Sequence, residues 1–80
     1  MPLLRIGMSG DAVAQLQRVL GVTQDPAGEF GRSTQTAVAR FQEQQRIDAD
    51  GIVGDRTWNC PLADGRTLEA AVGLGYAGDH

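Results

Sequence analysis

The sequence predicts an all-α fold: a compact three-helix bundle with glycine-rich turns ahead of helices 2 and 3, followed by a short C-terminal extension. Two observations predict it. Apolar residues recur at helical spacing in two separate windows. A unit of loop, glycine turn and helix is also repeated. Gly28-Glu29-Phe30-Gly31-Arg32-Ser33-Thr34 and Gly51-Ile52-Val53-Gly54-Asp55-Arg56-Thr57 share the pattern G-x-(Phe/Val)-G-x-x-T, 23 residues apart. A second echo, 25 residues apart, links Ala12-Val13-Ala14-Gln15-Leu16-Gln17 to Ala37-Val38-Ala39-Arg40-Phe41-Gln42. Gly65-Arg66-Thr67-Leu68-Glu69-Ala70-Ala71-Val72 is a fainter third copy.

The first helix is expected from Ser9 or Gly10 to Leu20, with Ser9 capping its free amides. Val13, Leu16 and Leu20 form its apolar stripe, widened by Val19, and Gly21 stops it. The second is expected from Arg32 to Gln45, with Ala37, Val38 and Phe41 facing inward and Gln35, Arg40, Glu43 and Gln44 solvated. A third, short helix starts near Asp55, carries Trp58 inward and is ended by Pro61, whose ring removes a helical donor. Phe30 and Val53 plug the core between paired glycines. Thr34 and Thr57 fall in the first helical turns, where a hydroxyl bonds exposed backbone. Asp25 and Asp50 brace the loops. Residues 1–62 form the domain. Residues 63–80 read as an extension that is weakly ordered alone, with a short helix over Thr67–Val72 and a loose end at Gly73, Gly75 and Gly78.

Eighty residues make one domain with one core, burying about 60% of the unfolded chain's surface. An apolar fraction of 41% and a charged fraction of 21% are those of a folding chain, not a disordered tail. The net charge of −3 argues against binding nucleic acid through its phosphates. No apolar run reaches the ~20 residues of a membrane span, so membrane insertion is not expected, and no signal peptide is visible. A single cysteine, Cys60, precludes an internal disulfide.

The ordered blocks Leu4-Arg5-Ile6-Gly7 with Ser9-Gly10, Val13 with Leu16-Gln17 and Leu20, Gly28-Glu29-Phe30-Gly31 with Thr34, Ala37-Val38 with Phe41-Gln42, and Asp50-Gly51-Ile52-Val53-Gly54 with Thr57-Trp58 resemble the peptidoglycan-binding domain of cell-wall hydrolases. The resemblance covers about three quarters of the chain, Leu4 to Leu62. It implies a compact three-helix fold and non-catalytic attachment to peptidoglycan, as a module that targets a virion, a hydrolase or an envelope assembly to the wall. It also implies a location in the cell envelope, outside the cell, or on a virion. A larger enzyme or virion protein is a candidate partner through residues 63–80. The rival expectation is a structural protein, such as a virion component, that uses the same fold for protein contacts. The chain departs from the family pattern in the short loop after Leu20, which lacks an aromatic, and in Cys60-Pro61.

The side-chain inventory argues against catalysis. His80 is the only histidine and stands last, which leaves a zinc hydrolase without ligands. Cys60 has no sequence-near base, and its place beside Trp58 reads as a small buried hydrophobe. Asp48-Ala49-Asp50-Gly51 departs from a calcium loop, since Arg46 stands where an oxygen ligand is required and Thr57 where the loop needs a glutamate. No cofactor is expected. The candidate ligand-binding residues are Arg32, Arg56, Trp58, Gln42, Gln17 and Arg40. Arg32 and Arg56 occupy the first turns of helices 2 and 3. There a guanidinium and free helix amides can clamp a stem-peptide carboxylate, or the arginines can simply be solvated. Trp58 suits either the core or the edge of a sugar-binding groove. Gln17 and Gln42 can bond either loop backbone or a ligand amide.

Overall fold

The computed structural model describes residues 2–77, with side chains described through residue 73. His80 and Gly78 lie outside the described residues. The described chain is all-α: α1 spans Asp11–Leu20, α2 Arg32–Gln44, α3 Asp55–Trp58 and α4 Leu68–Ala77. Three isolated antiparallel bridges, Leu4 with Val53, Ser9 with Glu29 and Pro61 with Thr67, tie the connecting segments together.

The core forms because each helix contributes one apolar stripe. Ala12, Val13 and Leu16 of α1 meet Val38 and Phe41 of α2, Trp58 of α3, and Leu68 and Val72 of α4, with Leu4, Phe30, Val53 and Cys60 from the connections. Phe30 and Val53 fill the centre, as expected from the repeat. They are presented alike. The N-terminal segment bonds both, through Leu4 with Val53 (N···O 2.8 and 3.1 Å) and through Gly7 and Met8 with Phe30 (3.0 and 2.9 Å).

In the extension expected over residues 63–80, with a short helix over Thr67–Val72, the chain forms α4. It packs chiefly against α1 and also against α3. Leu68 and Val72 are fully buried in the common core. Thr67 caps the helix, its hydroxyl accepting from the amide of Ala70 at 3.1 Å. The helix runs through Gly73 and Gly75 to Ala77, where a loose end was expected after Val72.

Helix starts also differ from expectation. Gly10, not Ser9, precedes α1, and no side chain caps it; Ser9 instead bridges to Glu29. Pro61 falls after α3, which ends at Trp58, and pairs with Thr67.

Helix ends follow the repeat. After α1, Val22 N–H bonds Gln17 O (2.8 Å) around a left-handed Gly21. After α2, Ile47 N–H bonds Gln42 O (3.1 Å) around Arg46, at φ 59°. These are the same left-handed helix terminations, one built on glycine and one on arginine.

Candidate functional site

The two glycine turns are built by one device used twice. Gln17 of α1 is buried, and its Oε1 accepts from the amide of Gly28 at 2.8 Å. Its Nε2 donates to Glu29 O at 2.8 Å and to Thr34 Oγ1 at 2.9 Å. Gln42 of α2 repeats this one unit later. Its Oε1 accepts from Gly51 N–H at 2.9 Å, and its Nε2 donates to Ile52 O and to Thr57 Oγ1, both at 2.9 Å. Each helix thereby grips the turn that launches the next. Gly28 (φ 85°) and Gly51 (φ 75°) adopt the left-handed backbone that lets the amide face the glutamine.

These bonds decide between the two readings left open for the glutamines. Both amides bond the chain itself at their oxygen and nitrogen, so Gln17 and Gln42 hold the loops. Thr34 and Thr57 are likewise buried and bond the glutamines, where bonds to exposed helix backbone were expected. Trp58 is 2% exposed, and its Nε1 donates to Pro2 O at 2.8 Å. It is a core residue whose one polar atom is already used, so the groove-edge reading does not hold.

The start of α2 is also occupied. Asp25 Oδ2 accepts from the amides of Gly31 (3.1 Å) and Thr34 (2.6 Å) and from the Thr34 hydroxyl (2.7 Å). A carboxylate reaching across the loop therefore caps the helix. The Thr34 hydroxyl foremost, then its amide, hold the Asp25 carboxyl below the ordinary carboxylate range. Gly31 is glycine for reasons of space: a Cβ there would stand 2.7 Å from Asp25 Oδ1. The expected seat for a ligand carboxylate beside Arg32 is thus filled by the protein. Asp50 braces its own loop differently, accepting from Ile52 N–H (2.9 Å) and Gln42 Nε2 (3.1 Å). Arg32 and Arg56 are both exposed, and neither lines either of the two clefts described next.

The larger cleft, about 1040 Å³, runs along one face of α2. One wall is the end of α1 and the loop after it, Val19 to Gln24. The floor is Ser33, Thr36, Ala37, Arg40, Phe41, Gln44 and Gln45, and the far wall is Pro61-Leu62-Ala63. Asp25 and the Ser33 to Gln24 hydrogen bond (3.2 Å) pin the first wall to α2. A smaller cleft of about 540 Å³ lies on the other side of α2, lined by Gln35, Thr36, Ala39, Arg40, Glu43, Ala49, Asp50 and Gly51. Of the six candidate residues, Arg40 is the one that lines these two clefts, and it lines both. The periodicity placed Arg40 correctly on the outer face. It gave no sign of a cleft, because the walls come from loops that meet only in the folded chain.

Cys60 is buried, with its thiol 3.2 Å from Arg56 O, and burial pushes its pKa up, away from nucleophilic use. Among the described residues no cluster of metal-ligating side chains occurs, and no helix is long and apolar enough to cross a membrane.

The chain belongs to the peptidoglycan binding domain family, whose model matches residues 9–60. It is 48% identical over 59 residues to a zinc D-Ala-D-Ala carboxypeptidase of Streptomyces albus G, covering 66% of this chain and 23% of that protein. An uncharacterised protein of Kitasatospora aureofaciens is 42% identical over 62 residues, covering 71% of this chain and 52% of that one. Among solved structures, a peptidoglycan-binding protein from Clostridioides difficile, crystallised with glutamine hydroxamate, superposes with a TM-score of 0.63 at 35% identity. That match covers 71% of this chain and 38% of the other. The chain thus spans between about a quarter and about a half of the length of these relatives.

Proposed function

We propose that the chain holds peptidoglycan in the cleft along α2 without making or breaking covalent bonds, and so keeps a hydrolase, virion or envelope assembly on the wall. The observation that carries the reading is the cleft itself. At about 1040 Å³ it is at the upper end of ordinary ligand sites, and its lining is mixed: Val19, Leu20 and Phe41 beside Thr36, Gln24, Gln44 and Gln45. An amino sugar with its peptide presents the same mixture of apolar C–H faces, amides and hydroxyls. Affinity per module is modest, and several copies on one assembly raise it. Within residues 63–73, Leu68, Ala71 and Val72 are already buried, so a partner there contacts the outer side of α4.

Co-sedimentation with purified sacculi tests this. Retention that is lost when Ala37 is replaced by Trp, which fills the cleft floor, supports the reading. No retention at low salt refutes it, and release of soluble fragments by the pure protein refutes the non-catalytic part. One observation favours the second reading, a structural protein: Leu3, Ile6 and Met8 stand exposed on the N-terminal segment. A stable oligomer dissociated by Leu3→Ser and Ile6→Ser would favour that role.

A further inference from the structure

We infer that Arg40 reads a free carboxylate of the bound peptide, so that the module prefers un-amidated peptide ends; this rests on the proposed seat in the cleft. Thr36 and Arg40, one turn apart on α2, are the two residues common to both clefts and form the ridge between them. The larger cleft is lined by one charged residue, Arg40, in a chain whose net charge is −3. Among the described residues the ion pair formed is Arg66 with Asp64, which leaves the Arg40 guanidinium without a carboxylate partner. The smaller cleft places Glu43 and Asp50 on the other side of the same ridge. An anion is therefore repelled from one side of Arg40 and accepted on the other.

The chemistry fits one occupant. A guanidinium presents a planar pair of donors to a carboxylate, and a neutral carboxamide returns a much weaker contact. N-acetylated amino sugars are uncharged, so the carboxylate belongs to the peptide portion of the ligand. The helix start, where an anion would otherwise be sought, is closed by Asp25. Arg40 is then the cation that remains in the cleft, and it fixes which end of the peptide enters.

The test compares one probe in two forms, diacetyl-lysyl-D-alanyl-D-alanine as the free acid and as its C-terminal amide, titrated into the whole chain. The acid is expected to bind about tenfold tighter than the amide, from one charge-assisted contact. Arg40→Gln abolishes that ratio, and Arg40→Lys retains part of it. Arg40 is exposed, so circular dichroism of both variants matches the wild type. Equal binding of acid and amide, or no binding of the acid at millimolar concentration, overturns the inference. Sacculus retention measured in parallel separates the two ideas. If wild type and Arg40→Gln are retained equally while the peptides bind alike, wall binding stands and the role of Arg40 falls. If the wild type is not retained, the proposed function falls.

Discussion

Replacing Gln42 by Leu tests the device that organises the fold. Leucine is slightly larger than glutamine, so no cavity is left. What is lost is a set of hydrogen bonds, to Gly51 N–H, Ile52 O, Thr57 Oγ1 and Asp50 Oδ1. Asp50 is exposed and rehydrates, and Ile52 is partly accessible. Gly51 N–H and the Thr57 hydroxyl are enclosed, and each orphaned buried group costs about 1–3 kcal/mol. The expected loss is therefore ~2–6 kcal/mol, against a total of ~4–12 kcal/mol for a chain of this length. In urea the midpoint should fall by ~2 M or more with little change in slope, since a small domain has a slope near 1 kcal/mol/M. Arg56→Ala, at an exposed side chain, is the control and should stay within ~0.5 kcal/mol. A loss below ~1 kcal/mol for Gln42→Leu would refute the claim that the glutamine holds the turn.

Three further outcomes follow from the same structure. Leu68→Ala should cost about 2–5 kcal/mol in urea unfolding, because Leu68 is fully buried against the bundle; a near-neutral result would return α4 to the status of an appendage. Arg46→Gly should stabilise by about 0.5–1 kcal/mol, since Arg46 holds φ 59° where the equivalent Gly21 has φ 74°; destabilisation would mean the arginine side chain makes an unrecognised contribution. The Asp25 carboxyl titrates below the unfolded value of about 3.9, so its contribution is complete above that pH and is lost as pH falls through the lower folded value. Acid unfolding of Asp25→Asn should lack this component, and coincident acid profiles for variant and wild type would contradict the cap.

Local chemistry made much of this fold legible. The stripe Val13, Leu16, Leu20 and the stop at Gly21 gave α1 to within a residue or two, and the repeat located both turns and the starts of α2 and α3. The paired glutamines stood at equivalent places in the sequence echo, and only their hydrogen bonds showed that they hold the turns. Three features were not legible because they depend on distant partners. Asp25 caps a helix from nine residues upstream of Thr34, across a loop whose path the sequence does not encode locally. A short helix over Thr67–Val72 was legible, but its run through Gly73 and Gly75, poor helix formers, and the burial of Leu68 and Val72 that holds it against the core were not. The α2 cleft arises only where Val22 and Leu62, far apart in the chain, come to face the same helix.

The most direct measurement is an amide NMR titration of the chain with soluble disaccharide-peptides released from sacculi. Seating in the α2 cleft predicts shifts concentrated at Val22, Thr36, Ala37, Arg40, Gln44 and Ala63, with Trp58 and the Gln17 and Gln42 side-chain amides unchanged. Shifts centred on Arg32 and Arg56, or none at saturating ligand, would contradict it.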